Sequence, residues 1–250
     1  MSVQYKKIGI VRIDKIGDLL LTTPVLKLIK KQWPNSKTVL IASKQNAGIL
    51  EKSALVDKIY VYKKKSNFLD KFNLLKKIRN ENLDLCLVFS PINAAYYLCF
   101  FSNANIKGVL IFTSRYKKIF KITSYRLIPH ILSPFFAKFI LKINRYNKNI
   151  KHHSIAMIEL LQKVGCKINL IKPKIILKFN NRICKKILNN KNISNKEIIL
   201  IHLSIRWMNQ FYSIKKLIAL VQKIKKMKNK IIILKNDNND NKMKTILKNK

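Results

Sequence analysis

Short, almost uninterrupted apolar runs recur along this chain, and helix-length segments separate them. The first run spans residues 7–14, and the next is Lys37-Thr-Val-Leu-Ile-Ala-Ser43. Strands that are apolar throughout, rather than at alternate residues, are typical of parallel sheets covered by helices on both faces. The sequence therefore predicts an α/β fold that begins with a Rossmann-like domain. The predicted strands of this domain are 7–14, 37–43, 56–62, 83–89 and 106–111, and the predicted helices between them are 18–32, 45–53, 66–80 and 90–101.

Helical spacing also predicts which side chains some of these helices bury. In the helix over 66–80, one apolar face is expected to carry Leu69, Phe72, Leu75 and Ile78. A short apolar helix is predicted over 132–143, and a longer one over 153–165, which Gly165 would end.

The chain is predicted to contain two domains. The first covers residues 1–170, and a polar interdomain segment covers 171–195. A second Rossmann-like domain starts at residue 196, with strands at 197–203 and 229–234 around a helix over 212–227. Because two parallel strands bury too little apolar surface to be stable alone, we expect residues 196–250 to form an incomplete domain.

A tight turn follows the first strand. The turn is Lys15-Ile16-Gly17, and Asp18 is predicted to be the first residue or the cap of the next helix. Such a turn leaves backbone N–H groups and one carboxylate at the carboxyl end of a strand, where open α/β sheets bind ligands. Gly17 would allow close approach or an unusual backbone angle.

The residues around this turn resemble the opening of the family 9 glycosyltransferases, the ADP-heptose:lipopolysaccharide heptosyltransferases. The matching stretches are Arg12-Ile-Asp14 and Gly17-Asp18-Leu-Leu-Leu-Thr-Thr-Pro24, followed by a helix that ends at Trp33-Pro34. The resemblance implies a two-domain GT-B fold and an inverting sugar transfer with Asp18 as the general base. Gly17, Thr22 and Thr23 would contact substrate, although the two threonines could instead hydrogen-bond within the helix.

The same resemblance implies a donor site in the second domain. Ser204 and Arg206 match, imperfectly, a turn that receives the diphosphate of a nucleotide sugar. We therefore expect an ADP-sugar donor, with no cofactor and no metal ion. The family's later Asp-x-Gly-Pro-x-His-x-Ala segment has no match, which indicates a truncated donor domain.

The charge of the chain is strongly positive. It contains 52 Lys and Arg against 11 Asp and Glu, a formal net charge of +41. Such a charge favours binding to nucleic acid or to an anionic membrane. Lysines are spread over all predicted elements, however, so compositional bias explains them better than a nucleic-acid site. Arg115, Lys117 and Arg126 lie among aromatic residues and form either a lip for an anionic acceptor or membrane, or an ordinary loop.

The remaining features concern compartment and metal binding. The cysteines, Cys86, Cys99, Cys166 and Cys184, are widely spaced, which is typical of a reduced cytoplasmic protein. No set of residues has metal-ligand spacing. We therefore expect a cytoplasmic enzyme, or one held at the inner face of the inner membrane, that glycosylates a lipopolysaccharide core or another glycolipid. The alternatives are an inactive remnant or acceptor-binding subunit, and a basic nucleic-acid-binding protein.

Overall fold

A computed structural model of the chain describes residues 3–112, 133–143, 152–168, 174–175, 197–203, 213–226 and 230–236. The chain divides into two compact units, Met1–Lys178 and Phe179–Lys250. The predicted interdomain segment, 171–195, lies outside the described residues except for 174–175.

The first unit contains a six-stranded sheet with the order β3-β2-β1-β4-β5-β6. Every adjacent pair of strands is parallel. The order runs outward from β1 in one direction and from β4 in the other, so the sheet is doubly wound. The strands are β1 Lys7–Arg12, β2 Lys37–Ser43, β3 Lys58–Tyr62, β4 Leu85–Val88, β5 Ile106–Phe112 and β6 Phe139–Ile143.

Helices cover both faces of this sheet. Helices α2 (Thr23–Gln32) and α5 (His153–Lys163) belong to one buried apolar cluster, together with side chains of the central strands. Helices α3 (Phe68–Arg79) and α4 (Asn93–Phe100) contribute to a second cluster. The central strands are buried on both sides, as their continuous apolar sequences predict.

The predicted helix over 18–32 is in fact two helices, α1 Ile16–Leu20 and α2. The break follows from Pro24, which has no N–H to donate to the carbonyl group of Leu20. The Thr23 hydroxyl donates to that carbonyl instead, at 2.8 Å.

Two other predictions of helix were wrong. Residues 45–53 contain only a short 3-10 turn, Ala47–Ile49. Here the Asn46 side chain accepts a hydrogen bond from the Ser43 N–H at 2.8 Å, so it supports a turn after β2. Residues 132–143 hold one helical turn over 133–136 and then strand β6, in which Phe139 pairs with Gly108 of β5. A short apolar run fits either helix or strand, and pairing with β5 decides it.

Helix α3 lies within the predicted range, 66–80, but only the second half of its predicted apolar face is covered. Leu69 is 67% exposed and Phe72 is 56% exposed, whereas Ile78 is buried. Leu74 and Leu75 are half-buried. The helix therefore packs through its second half, and its first half lies in solvent.

The second unit has a two-stranded parallel sheet, β7 Glu197–Leu203 and β8 Lys230–Asn236. Helix α6, Ile214–Lys225, comes between them in the chain. Its start is capped by Ser213, whose hydroxyl accepts a hydrogen bond from the Lys216 N–H at 3.4 Å.

Candidate active site

The candidate site lies at the carboxyl end of β1. This strand has β2 on one side and β4 on the other, and the direction of winding reverses between β1 and β4. Ligands of open α/β sheets bind outside the carboxyl ends of the strands at such a reversal. The turn after β1 and helix α1 therefore occupy the place where the fold favours a site.

Arg12, the last residue of β1, holds this turn together from beneath. Its side chain is fully buried. Nε donates a hydrogen bond to the backbone carbonyl of Asp18 at 3.0 Å, and Nη1 donates to the carbonyl of Phe89, directly after β4. One guanidinium therefore joins the loop after β1 to the loop after β4.

The guanidinium of Arg12 also faces two carboxylates. Nη1 lies 3.3 Å from Oδ2 of Asp14, and Nη2 lies 3.6 Å from Oδ1 of Asp18. Burial lowers the pKa of Arg12, and the two carboxylates oppose that effect. Within the described residues Nη2 makes no hydrogen bond, and the Asp18 carboxylate faces it at 3.6 Å.

Asp14 is a structural part of the cluster. Its side chain is 10% exposed, and one oxygen accepts a hydrogen bond from Ser90 Oγ at 3.0 Å. Ser90 Oγ in turn accepts from the Ile13 N–H at 2.8 Å. Burial raises the pKa of Asp14 despite the nearby positive charge of Arg12. Through these contacts Asp14 joins the loop after β1 to the loop after β4.

Asp18 is the more accessible of the two carboxylates. Its side chain is 39% exposed, and it is the third residue of α1 rather than the first. One carboxylate oxygen accepts a weak hydrogen bond from the Lys15 N–H at 3.3 Å. Asp18 therefore combines a solvent-accessible side with a buried cation, Arg12, behind it.

Gly17 does not adopt a left-handed conformation, so the predicted unusual backbone angle is absent. A Cβ atom built at Gly17 would meet nothing within 4 Å. The protein's own packing therefore does not require glycine there, and the space beside it is open to a ligand.

Thr22 and Thr23 are both buried. Thr22 Oγ1 donates to the carbonyl of Asp18 at 2.9 Å, and Thr23 Oγ1 donates to that of Leu20 at 2.8 Å. These contacts fit the alternative in which the threonines stabilise the junction of α1 and α2. Their direct contact with substrate stays a prediction.

Sequence reasoning missed Ser90 and Asn46 as supports of the site. Asn46 Nδ2 donates to the backbone carbonyls of Arg12 and Asp14 at 3.0 and 3.2 Å. Their positions in the sequence were the available indication of this role, since each residue closely follows a buried strand. Ser204, Arg206, Arg115, Lys117 and Arg126 lie outside the described residues.

In the described part of the chain, no group of three or more His, Cys, Asp or Glu side chains could hold a metal ion. Among the helices described, none has the length and apolar character needed to cross a bilayer.

No family model and no curated protein sequence matches this chain. Solved structures do match it. A glycosyl transferase family 9 protein from Veillonella parvula DSM 2008 has a TM-score of 0.65 and 16% identity, over 94% of this chain and 71% of that one. The E. coli heptosyltransferase WaaC with ADP-2-deoxy-2-fluoro heptose has a TM-score of 0.62 and 16% identity, over 97% and 72%.

A third similar structure is the E. coli ADP-heptose lps heptosyltransferase II, with a TM-score of 0.56 and 11% identity. That match covers 91% of this chain and 63% of the other. The predicted fold class and the resemblance in fold are thereby confirmed. The fold of this chain is the GT-B-like α/β fold of the family 9 glycosyltransferases.

Proposed function

We propose that this chain is a glycosyltransferase that moves a heptose or related sugar from a nucleoside-diphosphate donor to a lipopolysaccharide-core or similar glycolipid acceptor. The observation that supports it most is the accessible carboxylate of Asp18, 3.6 Å from buried Arg12, at the reversal point of the sheet. Two of the similar structures are E. coli heptosyltransferases, and one of these contains ADP-2-deoxy-2-fluoro heptose.

The proposed reaction is a single displacement. The acceptor hydroxyl attacks the anomeric carbon of the donor and its proton passes to Asp18, because a neutral sugar hydroxyl is a poor nucleophile. The bond from the anomeric carbon to the diphosphate oxygen breaks, and the nucleoside diphosphate leaves with that electron pair. The anomeric configuration is inverted, and the step needs no metal ion or other cofactor.

The chain's own residues divide the work in this proposal. Arg12 positions the backbone of Asp18 through Nε, and Ser90 and Asn46 hold the other side of the turn. The open space beside Gly17 admits the acceptor sugar. Ser204 and Arg206 would bind the diphosphate, where a guanidinium stabilises the charge of the leaving group.

The test measures release of ADP from ADP-heptose in the presence of a truncated lipopolysaccharide core. Asp18→Asn should lower the rate by about a hundredfold or more, since a general base contributes about 10² to 10⁴. Titration with ADP should give the same affinity for Asp18→Asn as for the unaltered chain, and a weaker one for Arg206→Ala.

Asp70→Asn is the matched control. Asp70 is also the third residue of its helix, and it accepts no proton in the proposed reaction. Full activity of Asp18→Asn would overturn the role of Asp18. Acceptor binding without any transfer by the folded chain would favour the inactive or acceptor-binding alternative.

A further inference from the structure

Three apolar side chains stand exposed at the start of α3. Phe68 is 78% exposed, Leu69 is 67% exposed and Phe72 is 56% exposed. The Phe68 and Phe72 rings stack with their centroids 6.4 Å apart. We call Phe68, Leu69 and Phe72 the α3 patch.

The α3 patch belongs to a formed helix. Asn67 caps its start, and Oδ1 of that residue accepts a hydrogen bond from the Asp70 N–H at 2.8 Å. The spacing of Phe68, Leu69 and Phe72 therefore places them on one side of the helix.

The described part of the core does not include the α3 patch. Neither buried apolar cluster of the first unit includes any of its three residues. The helix is anchored through Ile78 and Leu74, which lie on another side of it. Contiguous exposed apolar surface of this kind marks an interaction site.

The charge around the α3 patch indicates the kind of partner. Residues 63–79 contain seven Lys or Arg residues and one acidic residue, Asp70. All seven basic residues are exposed. At 100° per residue, Lys76 and Arg79 point to the same side of α3 as Phe72. A helix with exposed aromatic and basic residues on one side is suited to the boundary between acyl chains and anionic headgroups.

The position of the α3 patch relates it to the candidate site. Strand β3 is parallel to β1, with β2 between them, and α3 begins after the five residues that follow β3. The start of α3 therefore lies at the same edge of the sheet as Asp18. Two strand spacings separate β3 from β1, about 10 Å.

We propose that the α3 patch docks this chain on an anionic phospholipid bilayer. Phe68, Leu69 and Phe72 enter the boundary of the acyl chains, and Lys63, Lys64 and Lys65 lie among the headgroups. This orientation turns the carboxyl edge of the sheet toward the membrane. The docking goes beyond the proposed sugar transfer and does not depend on it, since vesicle binding requires neither a donor nor Asp18.

The first experiment is cosedimentation of the full chain with vesicles of phosphatidylcholine alone or mixed with phosphatidylglycerol. Phe68→Ser should weaken binding to the mixed vesicles about tenfold, because a largely exposed phenyl ring loses its transfer to the acyl boundary. Phe135→Ser is the matched control, because Phe135 is 82% exposed and lies outside α3. Equal loss in the two variants, or no loss in Phe68→Ser, would overturn the proposal.

The second experiment separates local from diffuse charge. The triple variant Lys63→Gln, Lys64→Gln, Lys65→Gln should weaken binding at low salt about a hundredfold, since each surface lysine contributes about fivefold. The control removes the same charge from α6 as Lys215→Gln, Lys216→Gln, Lys223→Gln, all at exposed positions. Equal losses would show that binding follows total charge and would overturn the proposal.

Binding of a different partner to the α3 patch would give a different experimental result. If a second copy of the chain covers it, light scattering will show a dimer that Phe68→Ser dissociates while vesicle binding stays unchanged. If single-stranded RNA covers it, Phe68→Ser will weaken RNA binding and leave vesicle binding intact. Either result would overturn docking on the bilayer.

Discussion

Helices α2 and α3 cover opposite faces of the same sheet, and they bury very different shares of their apolar side chains. In α2 the buried residues are Thr23, Pro24, Val25, Leu26, Leu28 and Ile29. In α3 the buried residue is Ile78. Both sequences have apolar residues at helical spacing, so the difference comes from where each helix lies.

The strand beneath each helix explains the contrast. Helix α2 joins a cluster with residues of the central strands β1, β2 and β4, and α5 adds a hydrogen bond of 2.8 Å from Ser154 Oγ to the carbonyl of Leu21. Helix α3 packs on β3, an edge strand whose residues are all half-buried or exposed. A helix over central strands therefore buries more of its apolar side than a helix over an edge strand.

The largest effect that this comparison predicts is at Leu26, which is fully buried. Leu26→Ala should lower the free energy of unfolding by about 3 kcal/mol, because it leaves a cavity beneath α2. Urea denaturation followed by circular dichroism measures it. Leu26→Met keeps the volume and should cost less than about 1.5 kcal/mol. Similar small losses for both variants would mean that α2 is not tightly packed.

Much of the fold follows from the sequence for a local reason. The central strands of a parallel sheet are apolar throughout, so β1, β2 and β4 are visible as runs. The identity of β6 depends on pairing with β5, and the break before α2 depends on one proline. The spacing of apolar residues shows neither the pairing of two strands nor the effect of a proline on a helix.

The candidate site was predictable in part for the same reason. The turn before Asp18 lies within a few residues of its strand, so its position follows from local sequence. The contact between Ser90 and Asp14 joins residues 76 positions apart. It exists because β4 is the neighbour of β1, which only the strand order determines.

A smaller effect is expected at Glu81, which ties the end of α3 to β3. Its Oε1 accepts hydrogen bonds from Lys58 Nζ at 2.6 Å and from Tyr60 Oη at 2.5 Å. Burial acts to raise the pKa of Glu81, but the hydrogen bonds from Lys58 and Tyr60 outweigh it, so the pKa is lowered. A carboxyl whose pKa falls on folding stabilises the protein above its unfolded pKa and loses this contribution as the pH falls through the folded value.

Glu81→Gln should therefore lower the free energy of unfolding by no more than about 1 kcal/mol at neutral pH, because solvent screens the pair. The difference from the unaltered chain should shrink as the pH falls through the lowered pKa of the folded state, because the Glu81 carboxyl is then protonated in both states. Urea denaturation at several pH values measures it. Glu51→Gln, at an exposed position, is the control, and a loss for Glu81→Gln that did not depend on pH would contradict the assignment.

The smallest effect is expected at Phe72, and it tests the comparison most directly. Phe72→Ala removes a large apolar side chain, as Leu26→Ala does, but from a position that is 56% exposed. The lost ring contact with Phe68 costs about 0.5 kcal/mol, and the higher helix propensity of alanine returns about the same amount. The free energy of unfolding should therefore change by less than about 0.5 kcal/mol.

The same denaturation should be repeated at a higher protein concentration, because self-association would make the stability depend on concentration. A loss of about 2 kcal/mol at every concentration would mean that Phe72 is buried in the folded chain in solution. In that case α3 would be covered as α2 is, and the contrast between a central and an edge position would fail. A loss that appears only at high concentration would instead mean that a second copy covers the α3 patch, since only association can bury a side chain in this way.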